Sequence, residues 1–303
     1  MSKIYKNNFQ VLLIGNLGQL GLEIEKFLHK YKYNYKVLNR NRLDLSDFKN
    51  LKKYLSQNNF DLIINCAAFT NVDLAEKEKD LATKLNADLP EILSLDCKFH
   101  NTKLIHFSTD FIFNGSADSP YTENDLTGPL NTYGLSKLKG EQNIINVLDN
   151  YIILRVSGVF GNTKNNFIYK IIEKLQSNKN LKVVDDQIST PTSTNFISYL
   201  IEIILKLILN NQNFSGIYHA VPRGSISKYH LAKHVKNLMS QKKIKIINKE
   251  LIPIKSTKIN SIAKRPLYSV LGSSLLEKKL QIKFEDWSYY GNLKIMELLN
   301  EKY

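Results

Sequence analysis

Tyr133 and Lys137 stand four residues apart in the run Tyr133-Gly134-Leu135-Ser136-Lys137, a spacing that puts a phenol and an ammonium one helical turn apart on the same face. A tyrosine, with an ordinary pKa of about 10, is a reluctant acid at neutral pH. A lysine cation beside it stabilises the phenolate and eases proton donation to a ketone. The same lysine can reach the ribose hydroxyls of a nicotinamide cofactor. Upstream, the run His106-Phe107-Ser108-Thr109-Asp110 ends an apolar stretch, and hydroxyls at the carboxyl end of a strand sit over the crevice of an α/β sheet. Thr109 is placed to donate to a substrate carbonyl as an oxyanion-type stabiliser, with Ser108 as the alternative. His106, inside the strand, reads as a buried and satisfied histidine.

These groups need a scaffold, and the alternation of short apolar runs with helical patterns supplies one. Strands are expected at Gln10–Ile14, Tyr35–Leu38, Leu62–Asn65, Leu104–Ser108 and Tyr151–Val156. Between them come helices at Gln19–His29, Phe48–Gln57, Val72–Asn86, Leu89–Cys97 and Tyr133–Asn146. This is the pattern of an α/β fold, a doubly wound parallel sheet with helices on both faces. After Gly161 the rhythm changes, with helices at Phe167–Leu175, Asn195–Leu207, Lys228–Met239 and Ser274–Lys279 and strands at Leu181–Val184 and Gly216–Ala220. The division read from this is a nucleotide-binding domain over 9–160, to which elements around 187–208 return. A smaller α/β substrate lobe makes up most of 161–303.

The first strand runs into Gly15-Asn16-Leu17-Gly18-Gln19-Leu20-Gly21. Gly15 permits a tight turn, Gly18 lets backbone approach a pyrophosphate and Gly21 lets helix pack on strand. The helix N-terminus over Leu17, Gln19 and Leu20 then faces the phosphates. The second strand ends at Asn39-Arg40-Asn41-Arg42. An acid there would repel a 2′-phosphate, whereas Arg40 and Arg42 suit one, so NADPH is the expected cofactor and NADH the alternative. Asp44, Leu45 and the small run Cys66-Ala67-Ala68 leave room for adenine and ribose, or serve packing alone.

Composition narrows the setting. The two cysteines, Cys66 and Cys97, are too few for a disulfide framework or a zinc site, and no metal is expected. The basic start Met1 to Asn8 lacks a signal-peptide pattern. The apolar segment Phe196 to Leu209 carries Glu202 and Lys206 and is shorter than the ~20 residues of a bilayer span. A cytoplasmic protein without a membrane partner is the expectation. The net charge of +14 fits anionic ligands or mere codon bias. No basic-aromatic interleaving points to nucleic acid.

Taken with Asn65-Cys66-Ala67-Ala68-Phe69-Thr70-x-Val72-Asp73-x-Ala75-Glu76, Ser108-Thr109-Asp110-Phe111-Ile112-Phe113-x-Gly115, Pro129-Leu130-Asn131-x-Tyr133, Asp186-Gln187-x-x-x-Pro191-Thr192 and Arg265-Pro266, the chain from about Phe9 onward resembles the extended short-chain dehydrogenase/reductases. Within them it is most similar to the dTDP-4-dehydrorhamnose reductase family. The resemblance implies a Rossmann domain and a catalytic set of Thr109, Tyr133 and Lys137 that passes hydride to C4 of a nucleotide-activated keto sugar. It also implies substrate contacts from the second lobe at Asn166, Phe167, Gln187, Thr192 and Arg265. Asp110, Phe111 and Gly158 are expected at the sugar end. Thr192 also reads as a helix start and Arg265 as a surface charge. Two departures stand out: Phe111 where the family carries tyrosine, and Arg155-Val156-Ser157-Gly158 where it carries Arg-Thr-Ser-Trp. Losing a phenol and an indole reshapes the sugar pocket and leaves the sugar open. A non-catalytic reductase-like subunit is the competing expectation, and a homodimer is compatible with either.

Overall fold

A computed structural model describes residues 9–302 of the chain apart from Asn165 and Asn248. The basic segment 1–8, and with it the reading of its targeting, lies outside the described residues. Five apolar runs form strands β1 (Gln10–Ile14), β2 (Asn34–Leu38), β3 (Leu62–Asn65), β4 (Lys103–Thr109) and β5 (Tyr151–Val156). With a sixth strand, Gly216–His219, they make one parallel sheet in the order sixth-β5-β4-β3-β1-β2. Side chains alternate between its faces, so Val11 and Leu13 enter one core while Leu12 and Ile14 enter the other. Helices α1 (Gln19–Lys30) and α8 (Thr194–Leu209) cover the first face; α2 (Phe48–Ser56) and α5 (Leu89–His100) cover the second. The order reverses between β1 and β3, which opens a crevice at the carboxyl ends of the strands.

Residues 72–86, expected as one helix, form two short helices, α3 (Val72–Ala75) and α4 (Lys79–Thr83), and a π-helical turn, Lys84–Asp88, that leads into α5. Pro90 explains the widened turn. It has no N–H to bond the carbonyl of Asn86 four residues back, so the α register cannot continue there. That carbonyl receives α6 (Thr132–Val147) instead, because a Cβ at Gly140 would collide with it.

Three more contacts fix α6, the helix of Tyr133 and Lys137. Asn131 caps it by accepting from Gly134 N at 2.8 Å. Glu76 takes both the amide and the hydroxyl of Thr132 at 2.8 Å. Glu141 pairs with Arg155 of β5 at 2.8 Å, both side chains being buried.

The second lobe packs α7 (Phe167–Leu175), α9 (Lys228–Gln241) and α11 (Trp287–Lys302) over the strand Leu181–Val184, while α10 (Ser274–Leu280) lies by the sixth strand. The sequence reading missed α11 because its buried face carries Gly291 and Lys294 among the apolar residues. Lys294 is tolerated there by ion pairs to Glu23 at 3.1 Å and Glu297 at 2.8 Å. A small sheet, Ile226–Ser227 with Ile188–Ser189 and Tyr268–Ser269, docks against the end of β4. Among the described residues, no helix is long and apolar enough to cross a membrane.

Candidate active site

The glycines divide the work of the first turn as their spacing predicts. Gly15 has φ +85°, and a Cβ there would lie 2.5 Å from Ala67 N. A Cβ at Gly21 would collide with the Gly15 carbonyl, so α1 lies directly on the turn. At Gly18 an added Cβ would meet nothing nearer than the Gly15 carbonyl oxygen, 3.8 Å away. Helix α1 begins there with no side-chain cap and no acid in its first turn. Its N–H groups are left for an anion, and the cradle fits a dinucleotide pyrophosphate.

The other expected cofactor residues separate. Leu17 is exposed at the loop, and Leu20 packs on the core beneath it. Gln19 spends its side chain elsewhere, accepting from Gly161 N at 2.9 Å and donating to Val159 O at 3.5 Å, so only its backbone faces the crevice. Arg40 is exposed, and Arg42 is anchored on the Val37 carbonyl at 3.1 Å. Between the strands, Asn39 donates to Asn16 Oδ1 at 2.7 Å. The sequence reading passed over this pair; Asn39 puts a neutral amide where an acid would repel a 2′-phosphate. Asp44 closes a turn on Ser46, whose amide and hydroxyl hold its carboxyl below the ordinary value. The Leu45 side chain packs in the core, drawn there by burial of apolar surface. Cys66 is partly buried, which pushes its thiol up, and Ala67 and Ala68 keep the end of β3 slim.

At the end of β4, Thr109 and Tyr133 come together. Burial pushes the Tyr133 phenol up to about 12, and the nearby Thr109 hydroxyl works against that rise. Thr109 also accepts from Phe111 N at 3.2 Å. Ser108, the alternative, points to the other face, and its buried hydroxyl has no partner among the described residues. Lys137 is 1% exposed. It donates to the Phe107 carbonyl at 2.5 Å and lies 3.0 Å from His106 Nε2. Burial lowers it to about 8, with Glu141 opposing.

In the second lobe, several of the residues expected at the substrate have partners within the protein. The Asn166 side chain caps α7 by accepting from Tyr169 N at 2.9 Å, and its amide donates to the carbonyls of Gly161 and Thr163. Thr192 is fully buried and donates to the Thr190 carbonyl at 3.2 Å. Phe167 packs against the lobe's core. Asp110 is closed off. Its carboxylate accepts from Thr109 at 3.0 Å, Ser157 at 2.8 Å and Ser269 at 2.6 Å, while burial raises its pKa. Arg265 is held by Asp73 at 2.6 Å, joining the lobes.

Phe111, Gly158 and Gln187 remain in the cleft. Gly158 is exposed with φ +53°. Gln187 accepts from Lys228 at 2.5 Å. Sequence reasoning missed Lys228, a lysine at a helix start being usually a solvated one. It follows the edge of the small sheet, feels the charges of Arg265, Asp110 and Asp73, and is lowered to about 8 by burial. Among the described residues no carboxylate lies within ion-pair distance of it.

A sequence profile described as the RmlD substrate binding domain matches residues 9–299. The dTDP-4-dehydrorhamnose reductase of Escherichia coli K12 is 29% identical over 96% of this chain and 97% of its own length. A probable dTDP-4,6-dihydroxy-2-methyloxan-3-one 4-ketoreductase of Streptomyces antibioticus is 30% identical over 91% of each chain. Among solved structures, a Clostridium acetobutylicum dTDP-4-dehydrorhamnose reductase matches with TM-score 0.87 and 32% identity, covering 96% of this chain and all of that one. A Bacillus anthracis dTDP-4-dehydrorhamnose reductase in complex with NADP matches with TM-score 0.86 and 29% identity over 95% and 99%.

Proposed function

The chain belongs to the RmlD substrate-binding-domain family and is an NAD(P)-dependent reductase of it, and from that premise we propose that it reduces the 4-keto group of a nucleotide-activated 6-deoxyhexose with NADPH. The observation that carries this reading is the nearness of the Tyr133 phenol to the Thr109 hydroxyl at the end of β4, in the same sheet whose first strand ends in the glycine turn. NADPH, when bound, supplies the hydride. The N–H groups at the start of α1 would hold its pyrophosphate, and Arg40 and Arg42 its 2′-phosphate.

The chain's own groups provide the rest. Thr109, whose hydroxyl donates to Asp110 in the free protein, would turn that hydrogen to the ketone oxygen to orient it, and Tyr133 delivers the proton to that oxygen as charge develops on it. A phenol pushed up to about 12 remains protonated through the physiological range, so the acid is loaded before each turnover. Lys137 would hold the nicotinamide ribose. The substrate's diphosphate is met by the Lys228 cation, whose side-chain partner among the described residues is the neutral Gln187 amide, whereas Asp73 already neutralises Arg265.

The first substrate to try is dTDP-4-dehydrorhamnose. A different 4-keto sugar nucleotide is the second reading, favoured by Phe111 and Gly158 at the sugar end of the cleft. The test is oxidation of NADPH by purified protein with a panel of nucleotide 4-keto-6-deoxyhexoses, the product sugar being identified by NMR. No oxidation with any of them would sink the proposal.

A further inference from the structure

Behind Lys137 runs a buried chain of hydrogen bonds that the reductase reading does not use. Ala67 N donates to Asn65 Oδ1 at 3.1 Å, Asn65 Nδ2 lies 3.1 Å from His106 Nδ1, and His106 Nε2 lies 3.0 Å from Lys137 Nζ. Asn65 and His106 are each 1% exposed, so water does not share these bonds.

The protons along it follow from one fixed end. A backbone N–H can only donate, so Ala67 holds the oxygen of Asn65 and turns its NH₂ toward the imidazole. The ring nitrogen facing that NH₂ must be a lone pair, and burial keeps the ring neutral. Its single hydrogen then sits on Nε2 and points at Lys137. An ammonium there would set N–H against N–H, whereas an amine accepts the bond and still donates to the Phe107 carbonyl. Protonating Lys137 therefore requires the imidazole to change tautomer and the Asn65 amide to flip, at the expense of the Ala67 bond.

We propose that Asn65 and His106 are positioning residues that oppose protonation of Lys137 and so set the pH range in which the Tyr133–Lys137 pair works. The groups that act on Lys137 from around it are few. Glu141 on its own helix favours the cation but is paired with Arg155, Cys66 at the end of β3 is a neutral thiol, and His106 faces it from β4. Tyr133 stands one turn away on α6 as a neutral phenol.

The test is Asn65→Asp, whose carboxylate accepts from Ala67 N and from His106 at once and so removes the conflict. In ¹⁵N-histidine NMR of the full-length protein above pH 9, where Lys137 is an amine, His106 should carry its hydrogen on Nε2 in the wild type and on Nδ1 in N65D. The alkaline limb of the kcat/KM profile should move upward by about one pH unit or more in N65D. Only this kinetic arm rests on the reductase reading, and the NMR arm stands without turnover. An Nδ1-protonated His106 in the wild type above pH 9 overturns the proposal, even if N65D does not fold. An unmoved alkaline limb in a folded, active N65D overturns it too.

Discussion

The Phe111 ring meets the Tyr133 ring edge to face, with centroids 5.9 Å apart and planes at 74°. The contact belongs to the ring and not to the hydroxyl, so Tyr133→Phe should keep the packing and lose only the acid. Turnover should fall by about 10²–10⁴-fold, the usual worth of a positioned proton donor. NADPH binding, followed by fluorescence titration, should stay as it was. A variant that turned over at the wild-type rate would remove Tyr133 from its assigned role.

The two arginines after β2 should separate in their effects. Each charge-assisted hydrogen bond to a phosphate is worth about 1.5–3 kcal/mol, so Arg40→Ser should lower kcat/KM for NADPH tenfold or more and leave NADH little changed. Arg42→Ser should do the same and also lower the melting temperature, because Arg42 alone is anchored on the Val37 carbonyl. Equal losses with both cofactors would mean that neither guanidinium meets the 2′-phosphate.

Lys228→Met keeps the aliphatic stem and deletes the charge. The expected result is a KM for the nucleotide sugar raised about tenfold with kcat largely kept, since a contact made equally in ground and transition states affects binding alone. The salt dependence of KM should weaken in the variant. An unchanged KM would place the diphosphate elsewhere.

The ion pair that joins the lobes should register as a pH-dependent contribution to stability. The Arg265 guanidinium holds the Asp73 carboxyl far below its ordinary 3.8, with the amide of Ala263 assisting. A depressed carboxyl binds fewer protons folded than unfolded, so its contribution is complete above the ordinary value and fades as pH falls below it. The pair is partly exposed, and about 1 kcal/mol is a fair expectation for Asp73→Asn at pH 7, roughly 2 °C in melting temperature. Calorimetry should show the gap between variant and wild type closing below pH 3. A gap that persisted unchanged there would mean that the carboxyl's charge is not what stabilises the fold.

Much of this architecture was legible in the residues because backbone geometry leaves marks on composition. Gly15, Gly18 and Gly21 could be assigned separate tasks because a turn, an approach and a packing contact each exclude a side chain. The strand runs were clear because helices on both faces keep them apolar. Asn166 and Thr192 were harder to read: a polar side chain announces that it will form hydrogen bonds but not with whom, and here a helix end and a carbonyl engage them. The break at Lys84–Asp88 required seeing that Pro90 withholds its bond from Asn86. Lys228 stayed hidden because only the small sheet, assembled from three distant dipeptides, carries it into the cleft.

Asp110, gripped by Ser157 of the strand edge and Ser269 of the small sheet, is a pin driven through the base of the cleft. Separating the small sheet from the end of β4 there would leave a buried carboxylate without its donors, so the two are tied at that point.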